Sequence, residues 1–98
     1  MAKRPKTATQ LQQAWIGDAV LTLHARLKIL RESGRIDAPL AAAMTSNHFL
    51  SASGDPTAVE AAIGRLYLEQ GLQAAFDSID SRLAPLFARQ QQNRARRR

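Results

Sequence analysis

Residues 14–21 have the sequence Ala-Trp-Ile-Gly-Asp-Ala-Val-Leu and lie inside a longer apolar repeat. Apolar residues recur there at three- and four-residue spacing, the period of one face of an α-helix. The stripe consists of Leu11, Trp15, Ala19, Leu23, Leu27 and Leu30, widened by Ile16 and Val20. We therefore predict a long helix, with Thr9 as its N-cap, Gln12 completing a capping box, and an end near Ser33 and Gly34.

Cap and turn residues predict three more helices after the first. Prolines suited to a first helical turn open two of them, and a glycine stops one. The second helix spans residues 39–50 and the third spans residues 56–70. The fourth begins at Leu72, and Pro85 should kink or end it. Because no segment alternates like a strand, the predicted fold is all-α, with about four helices.

The length of 98 residues suits one domain. The formal net charge is +6, and the basic residues are concentrated at the two ends. We predict a basic N-terminal extension over residues 1–8, a helical domain over 9–88 and a basic, disordered tail over 89–98. Basic ends are typical of a polyanion partner, or simply of a well-solvated protein.

No apolar run is long enough to span a membrane, and the basic start of the chain precedes no signal-peptide core. The absence of cysteine removes disulfides and thiolate metal sites. His24 and His48 have no partner at metal-ligand spacing, and His24 is better explained as a packing residue at an interface. We expect a cytoplasmic protein that does not act on membranes.

Two acids, Asp18 and Glu60, interrupt apolar helix faces. An unpaired buried carboxylate is costly, so such acids usually meet a cation, a hydrogen-bond network or a metal ion. Each also has a glycine near it on its own helix, Gly17 and Gly64, at a cost of roughly 1 kcal/mol relative to Ala. Close approach of the two helices would explain both glycines and bring the carboxylates together. The alternative is that Asp18 is an ordinary exposed residue and Gly17 has no role.

Residues 14–21 resemble the signature of the ribonuclease III family, in which an aromatic and an aliphatic residue precede Gly-Asp-Ala-Val. Residues 57–71, Thr-Ala-Val-Glu-Ala-Ala-Ile-Gly-Arg-Leu-Tyr-Leu-Glu-Gln-Gly, are similar to the second acidic helix of that family. Ser51-Ala52 resembles a Val-Ser-Ala step, and Arg26 falls where the Mini-ribonuclease III group commonly has an arginine. These matches cover about half of the chain.

The resemblance implies a compact helical endonuclease domain of the ribonuclease III type that forms a homodimer. It assigns Asp18 and Glu60 as the catalytic acids that hold Mg²⁺, which activates a water for attack on an RNA phosphodiester. The larger enzymes carry two further acids, where this chain has Ala14 and Thr57. The Mini group makes similar replacements and also lacks a double-stranded-RNA-binding domain, so the resemblance favours that group.

One departure concerns the interval between Asp18 and Glu60. The family has additional helices in this interval, and this chain lacks them. Those helices normally pack under the active site and help to form the RNA-facing valley. Their loss leaves open a domain that binds RNA or ribosomal particles without cutting. Asp55 is a candidate replacement acid, although as an N-cap its oxygens are expected to bind backbone N–H groups.

The signature helix forms the dimer interface in the family, which assigns Trp15 and Ile16 to contact with the partner. Trp15 could instead belong to the core of a single chain. Candidate contacts to RNA phosphates are Arg26, Lys28 and Arg31, together with the basic ends, although solvated helix cations look the same in sequence.

The leading interpretation is a homodimeric, Mg²⁺-dependent endoribonuclease that cleaves double-stranded or structured RNA, with ribosomal RNA maturation as the role that the Mini group implies. The second is a non-catalytic domain that binds RNA or ribosomes. The third sets the resemblance aside and takes the chain as a basic helical accessory protein.

Overall fold

The computed structural model describes residues 6–96, which form six helices and no strand. The predicted all-α fold is therefore confirmed. Four of the helices have 11 residues or more, and the other two are short. The bounds are α1 (Ala8–Ser33), α2 (Ala38–Met44), α3 (Asn47–Leu50), α4 (Pro56–Gln70), α5 (Leu72–Arg82) and α6 (Ala84–Arg96).

Helix α1 has the predicted length, but its N-cap is Thr7 rather than Thr9. The Thr7 hydroxyl accepts a hydrogen bond from the Gln10 backbone N–H at 3.0 Å, so Thr9 lies inside the first turn. The predicted end is confirmed, since Gly34 adopts a left-handed conformation (φ 69°) and its N–H donates to the Leu30 carbonyl.

The predicted helix over residues 39–50 is two helices, α2 and α3. The Thr45 hydroxyl donates to the Ala41 carbonyl at 3.0 Å as α2 ends, and Ser46 then adopts an extended conformation. The Ser46 hydroxyl accepts from the Phe49 N–H and so opens α3. Local hydroxyl bonds to the backbone thus end one helix and begin the next.

Helices α4 and α5 follow the sequence signals closely. The Asp55 carboxylate caps α4 by accepting from the Ala58 N–H at 3.0 Å, and Gly71 (φ 94°) separates α4 from α5. Pro85 is the second residue of α6, a position where its missing N–H leaves no hydrogen bond unmade.

The tail predicted to be disordered from residue 89 is helical as far as Arg96, and residues 97–98 lie outside the described part of the chain. Glutamine, alanine and arginine favour helices, and no glycine or proline follows Pro85 to break this one. Most of the predicted N-terminal extension, residues 1–5, also lies outside the described part.

The main packing contact in the chain is between α1 and α4, and α5 covers both of these helices. A single cluster of buried side chains fills the space between them, with the fully buried Leu50 of α3 at its centre. The other members are Val20, Leu21, Phe49, Ile63, Ala75, Ile79 and Leu83. This core holds α1 against α4, and the two acids lie where those helices touch.

Candidate functional site at the contact of α1 and α4

Gly17 and Gly64 allow the backbones of α1 and α4 to touch. A Cβ added to Gly17 would lie 2.9 Å from the Gly64 nitrogen and would overlap the Glu60 carbonyl oxygen. A Cβ added to Gly64 would in turn overlap the Gln13 carbonyl oxygen. The predicted reason for both glycines, a close approach of the two helices, is thus found in the structure.

This approach brings the side chains of Asp18 and Glu60 close enough to interact. Burial, the hydrogen bond to Asp18 and the negative charge of Asp18, in that order, raise the pKa of Glu60 from 4.5 to about 7. Near neutral pH the Glu60 carboxyl group is therefore partly protonated, and the protonated form can share its hydrogen with Asp18. Asp18 itself is exposed rather than buried, which corrects the expectation that both acids lie inside apolar surfaces.

The two carboxylates are a donor set for a hard cation. Mg²⁺ prefers oxygen ligands, keeps several of its waters and is commonly held by one or two carboxylates. Within residues 6–96, no third acid or histidine completes a cluster with them. Ala14 and Thr57 contribute no carboxylate, and Asp55 is occupied as the cap of α4. The pair therefore fits one hydrated cation that is largely coordinated by water.

The two residues predicted to contact a partner lie in different environments. Trp15 is 78% exposed, so it does not belong to the core of a single chain. Ile16 is half-buried and packs against the core cluster of its own chain. Of the two, only Trp15 presents most of its side chain to solvent.

Arg26, Lys28 and Arg31 all lie two or more turns beyond Asp18 along α1. Arg26 and Lys28 are two residues apart, which places them on nearly opposite sides of the helix. Lys28 forms an ion pair with Glu32 at 2.7 Å. The three cations are therefore not gathered into one patch beside the acids.

Two contacts of charged groups were not anticipated from the sequence. His24 is buried, and its Nε2 lies 2.7 Å from Asp80 Oδ1 while its ring meets the Phe76 ring edge-on. His24 therefore packs within its own chain, not at an interface. The other contact joins Lys6 to Thr57. Both link residues more than 50 positions apart, and no local spacing signals such a pair.

A groove of about 490 Å³ runs between the second half of α1 and α2, lined in part by Arg26, Leu30 and Ile36. Neither acid borders it. The acid pair instead lies at an open surface, where Asp18 is exposed. An open surface suits a large substrate better than a small molecule, which usually needs a concave pocket.

The chain matches no protein-family model, no curated protein and no solved structure. Among the described helices, none combines the length and the apolar character needed to cross a membrane.

Proposed function

We propose that this chain is a Mg²⁺-dependent endoribonuclease of the ribonuclease III type, which cleaves double-stranded or structured RNA as a homodimer. The observation that carries the proposal is the pairing of Asp18 with Glu60 at the glycine contact of α1 and α4. Maintaining two carboxylates side by side is unfavourable unless a proton or a cation lies between them. The resemblance of both acidic motifs to that family indicates that the cation is Mg²⁺ and that the substrate is RNA.

In this mechanism Asp18 and Glu60 hold the cation and orient its waters. When bound, Mg²⁺ supplies an activated water for in-line attack and stabilises the leaving oxygen of the phosphodiester. Glu60 must release its proton before it can bind the cation, and Asp18, the more exposed of the two acids, faces the RNA. The protein contributes mainly position and charge, through two helices whose backbones touch at Gly17 and Gly64.

Dimerisation is supported by the outer face of α1, which carries five exposed large apolar residues. Their exposed fractions are 50% for Leu11, 78% for Trp15, 42% for Leu23, 39% for Leu27 and 46% for Leu30. A helix that is apolar on both sides is normally covered on both sides. Trp15 lies one turn from Asp18, so a second copy on this face would bring two acid pairs to one assembly. Such an arrangement suits a duplex with two strands to cut.

A role in ribosomal RNA maturation, which the resemblance implies, and a cytoplasmic location, expected from the sequence, belong to the same proposal. The net charge of +6 supports a polyanionic partner of this kind.

The test is cleavage of an end-labelled RNA duplex with Mg²⁺ by the parent protein and by the Asp18→Asn and Glu60→Gln variants. Glu60→Gln is informative because its amide can still donate a hydrogen bond to Asp18, as the protonated acid does, so folding is retained. We expect both variants to lose at least about a hundredfold in cleavage rate. Glu69→Gln removes an exposed carboxylate from the same helix and serves as the matched control, with an unchanged rate.

The second candidate is a domain that binds RNA without cutting it. The presence of only two acids at the site, with neither Ala14 nor Thr57 able to help, favours this candidate over a fully equipped nuclease. Duplex binding by the parent protein without any cleavage would establish the second candidate and exclude the first. If neither binding nor cleavage occurs, both are wrong and the basic accessory protein remains.

A further inference from the structure

Lys6 lies just before α1 and contacts the first turn of α4. Its ammonium donates a hydrogen bond to the Thr57 hydroxyl at 2.9 Å. The two residues are 51 positions apart, so tertiary packing alone brings them together. The contact holds the Lys6 charge at the first turn of α4, where it stays exposed to solvent.

Thr57 is three residues before Glu60 on α4, and residues at that spacing share a helix face with Cβ atoms roughly 5–6 Å apart. The Lys6 ammonium is therefore bound about one turn before Glu60 on that face of α4. Within the described part of the chain, the ion pairs are His24–Asp80 and Lys28–Glu32. Lys6 thus belongs to neither of these ion pairs, and its charge at the first turn of α4 is available to another anion.

We propose that Lys6, held in place by Thr57, binds a phosphate group of the RNA beside the acid pair. This inference rests on the proposed function and identifies a further substrate-binding residue for it. One divalent cation on two carboxylates leaves the site with no net positive charge, so a phosphodiester needs an additional cation to approach. An ammonium supplies that charge together with up to three hydrogen-bond donors.

Lys6 fits this role better than the cations of α1. Arg26, Lys28 and Arg31 are two or more turns from Asp18, a distance of about 12 Å or more along the helix. Lys6 is anchored one turn from Glu60. We therefore assign Lys6 to the phosphate at the site, and any contact of the three α1 cations to phosphates farther along the RNA.

The first measurement is binding of a short labelled RNA duplex to an Asp18→Asn/Glu60→Gln background, in which both negative charges and any cleavage are removed. Lys6→Met in that background should weaken binding roughly three- to tenfold. The slope of log affinity against log salt concentration should also fall by an amount equivalent to about one phosphate contact. Arg35→Met is the matched control. It removes the same charge from the loop beyond α1, more than about 22 Å along the helix from Asp18, and should weaken binding less than twofold.

The second measurement is the affinity of the RNA-free protein for Mn²⁺, with the acid pair intact. Removing a nearby positive charge should strengthen cation binding, so Lys6→Met should bind Mn²⁺ roughly three- to tenfold more tightly than the parent. Lys6→Arg, which keeps the charge, and Arg35→Met should both match the parent. A purely structural role for Lys6 would instead weaken Mn²⁺ binding or leave it unchanged.

The duplex-binding comparison decides the assignment whether or not the parent protein cuts RNA. A larger loss in Lys6→Met than in Arg35→Met supports the Lys6 site even if cleavage is never observed, in which case only the nuclease proposal fails. Equal losses in the two variants, or none, overturn the Lys6 site even if the parent protein is an active nuclease. Circular dichroism of each variant shows that the comparison is made between folded proteins.

Discussion

The two sides of α1 differ in the size of their side chains and in what covers them. The buried side mixes the small residues Ala14, Gly17 and Ala25 with larger ones, which are Val20, Leu21, His24 and Ile29. The outer side carries further large apolar residues, and Trp15 is the most exposed of them. The small residues matter where the backbones touch at Gly17, and the larger ones fill the core beside that contact. The outer side remains available to a second molecule.

The largest effect is expected from filling the contact between the two helices. Gly17→Ala adds a Cβ that overlaps the Glu60 carbonyl oxygen, so α1 must move away from α4. We expect a loss of about 3 kcal/mol in the free energy of unfolding, despite the better helix propensity of Ala. Chemical denaturation measures it. Ala62→Val adds bulk to an exposed position of α4 and should change stability by less than about 0.5 kcal/mol. Equal effects would mean that the helices are not in close contact.

Truncating a large side chain to alanine should cost much more stability on the buried side of α1 than on its outer side. Ile29 is 5% exposed and Leu27 is 39% exposed. Ile29→Ala should lower the free energy of unfolding by about 2–4 kcal/mol, because it leaves a cavity in the core. Leu27→Ala should cost less than about 1 kcal/mol at low protein concentration, where the chain is monomeric. A loss for Leu27 as large as that for Ile29 would show that a partner covers the outer side even in dilute solution.

A charge on the outer side should alter association and leave the fold intact. Trp15→Glu places a carboxylate in the centre of the exposed stripe, so light scattering should give a dimer for the parent and a monomer for the variant, with the same circular dichroism spectrum. Leu68→Glu, at an exposed apolar position of α4, should remain a dimer. The same molar mass for the parent and Trp15→Glu would exclude this stripe as the dimer interface.

The smallest effect concerns the protonation of the acid pair. The pKa of Glu60 is about 7 in the fold and near 4.5 when the chain is unfolded. Between these values the folded state binds more protons than the unfolded state, so the stabilising contribution is complete below about pH 4.5 and is lost as the pH rises through 7. Because Glu60 is partly exposed, solvent screening reduces the loss to about 1 kcal/mol.

Thermal unfolding of the metal-free protein between pH 5 and pH 8 measures this loss, with Glu60→Gln as the reference. Since Gln does not titrate, the stability of the parent minus that of the variant should fall with increasing pH. Contributions from the rest of the chain are common to both proteins and cancel in the difference. A difference that does not change with pH would mean that the two carboxyl groups do not share a proton.

Most of the helical pattern could be predicted because caps and breakers act locally. Asp55 with Pro56 opens α4, and Gly34 and Gly71 end helices, as their residue types indicate. The errors have local causes too. Thr7 caps α1 in place of Thr9, since both threonines precede the same repeat, and Ser46 divides a segment that its alanines favour as one helix.

The candidate site was predictable in part. Gly17 and Gly64 indicated a close helix contact, and that contact brings Asp18 and Glu60 together. The pattern could not show which side of α1 faces inward, because large apolar residues lie on both sides of the helix.

The sequence by itself determined that the chain is helical and where most of its helices begin and end. It also indicated that two glycines allow two helices to approach closely and bring two acids together. These properties depend on interactions within a few residues, which a linear pattern records. Only the tertiary structure decided that Asp18 shares a hydrogen bond with Glu60, that Trp15 faces outward, and that Lys6 reaches Thr57. Each of these depends on how distant helices pack, and packing is set by the fit of whole surfaces that local spacing does not encode.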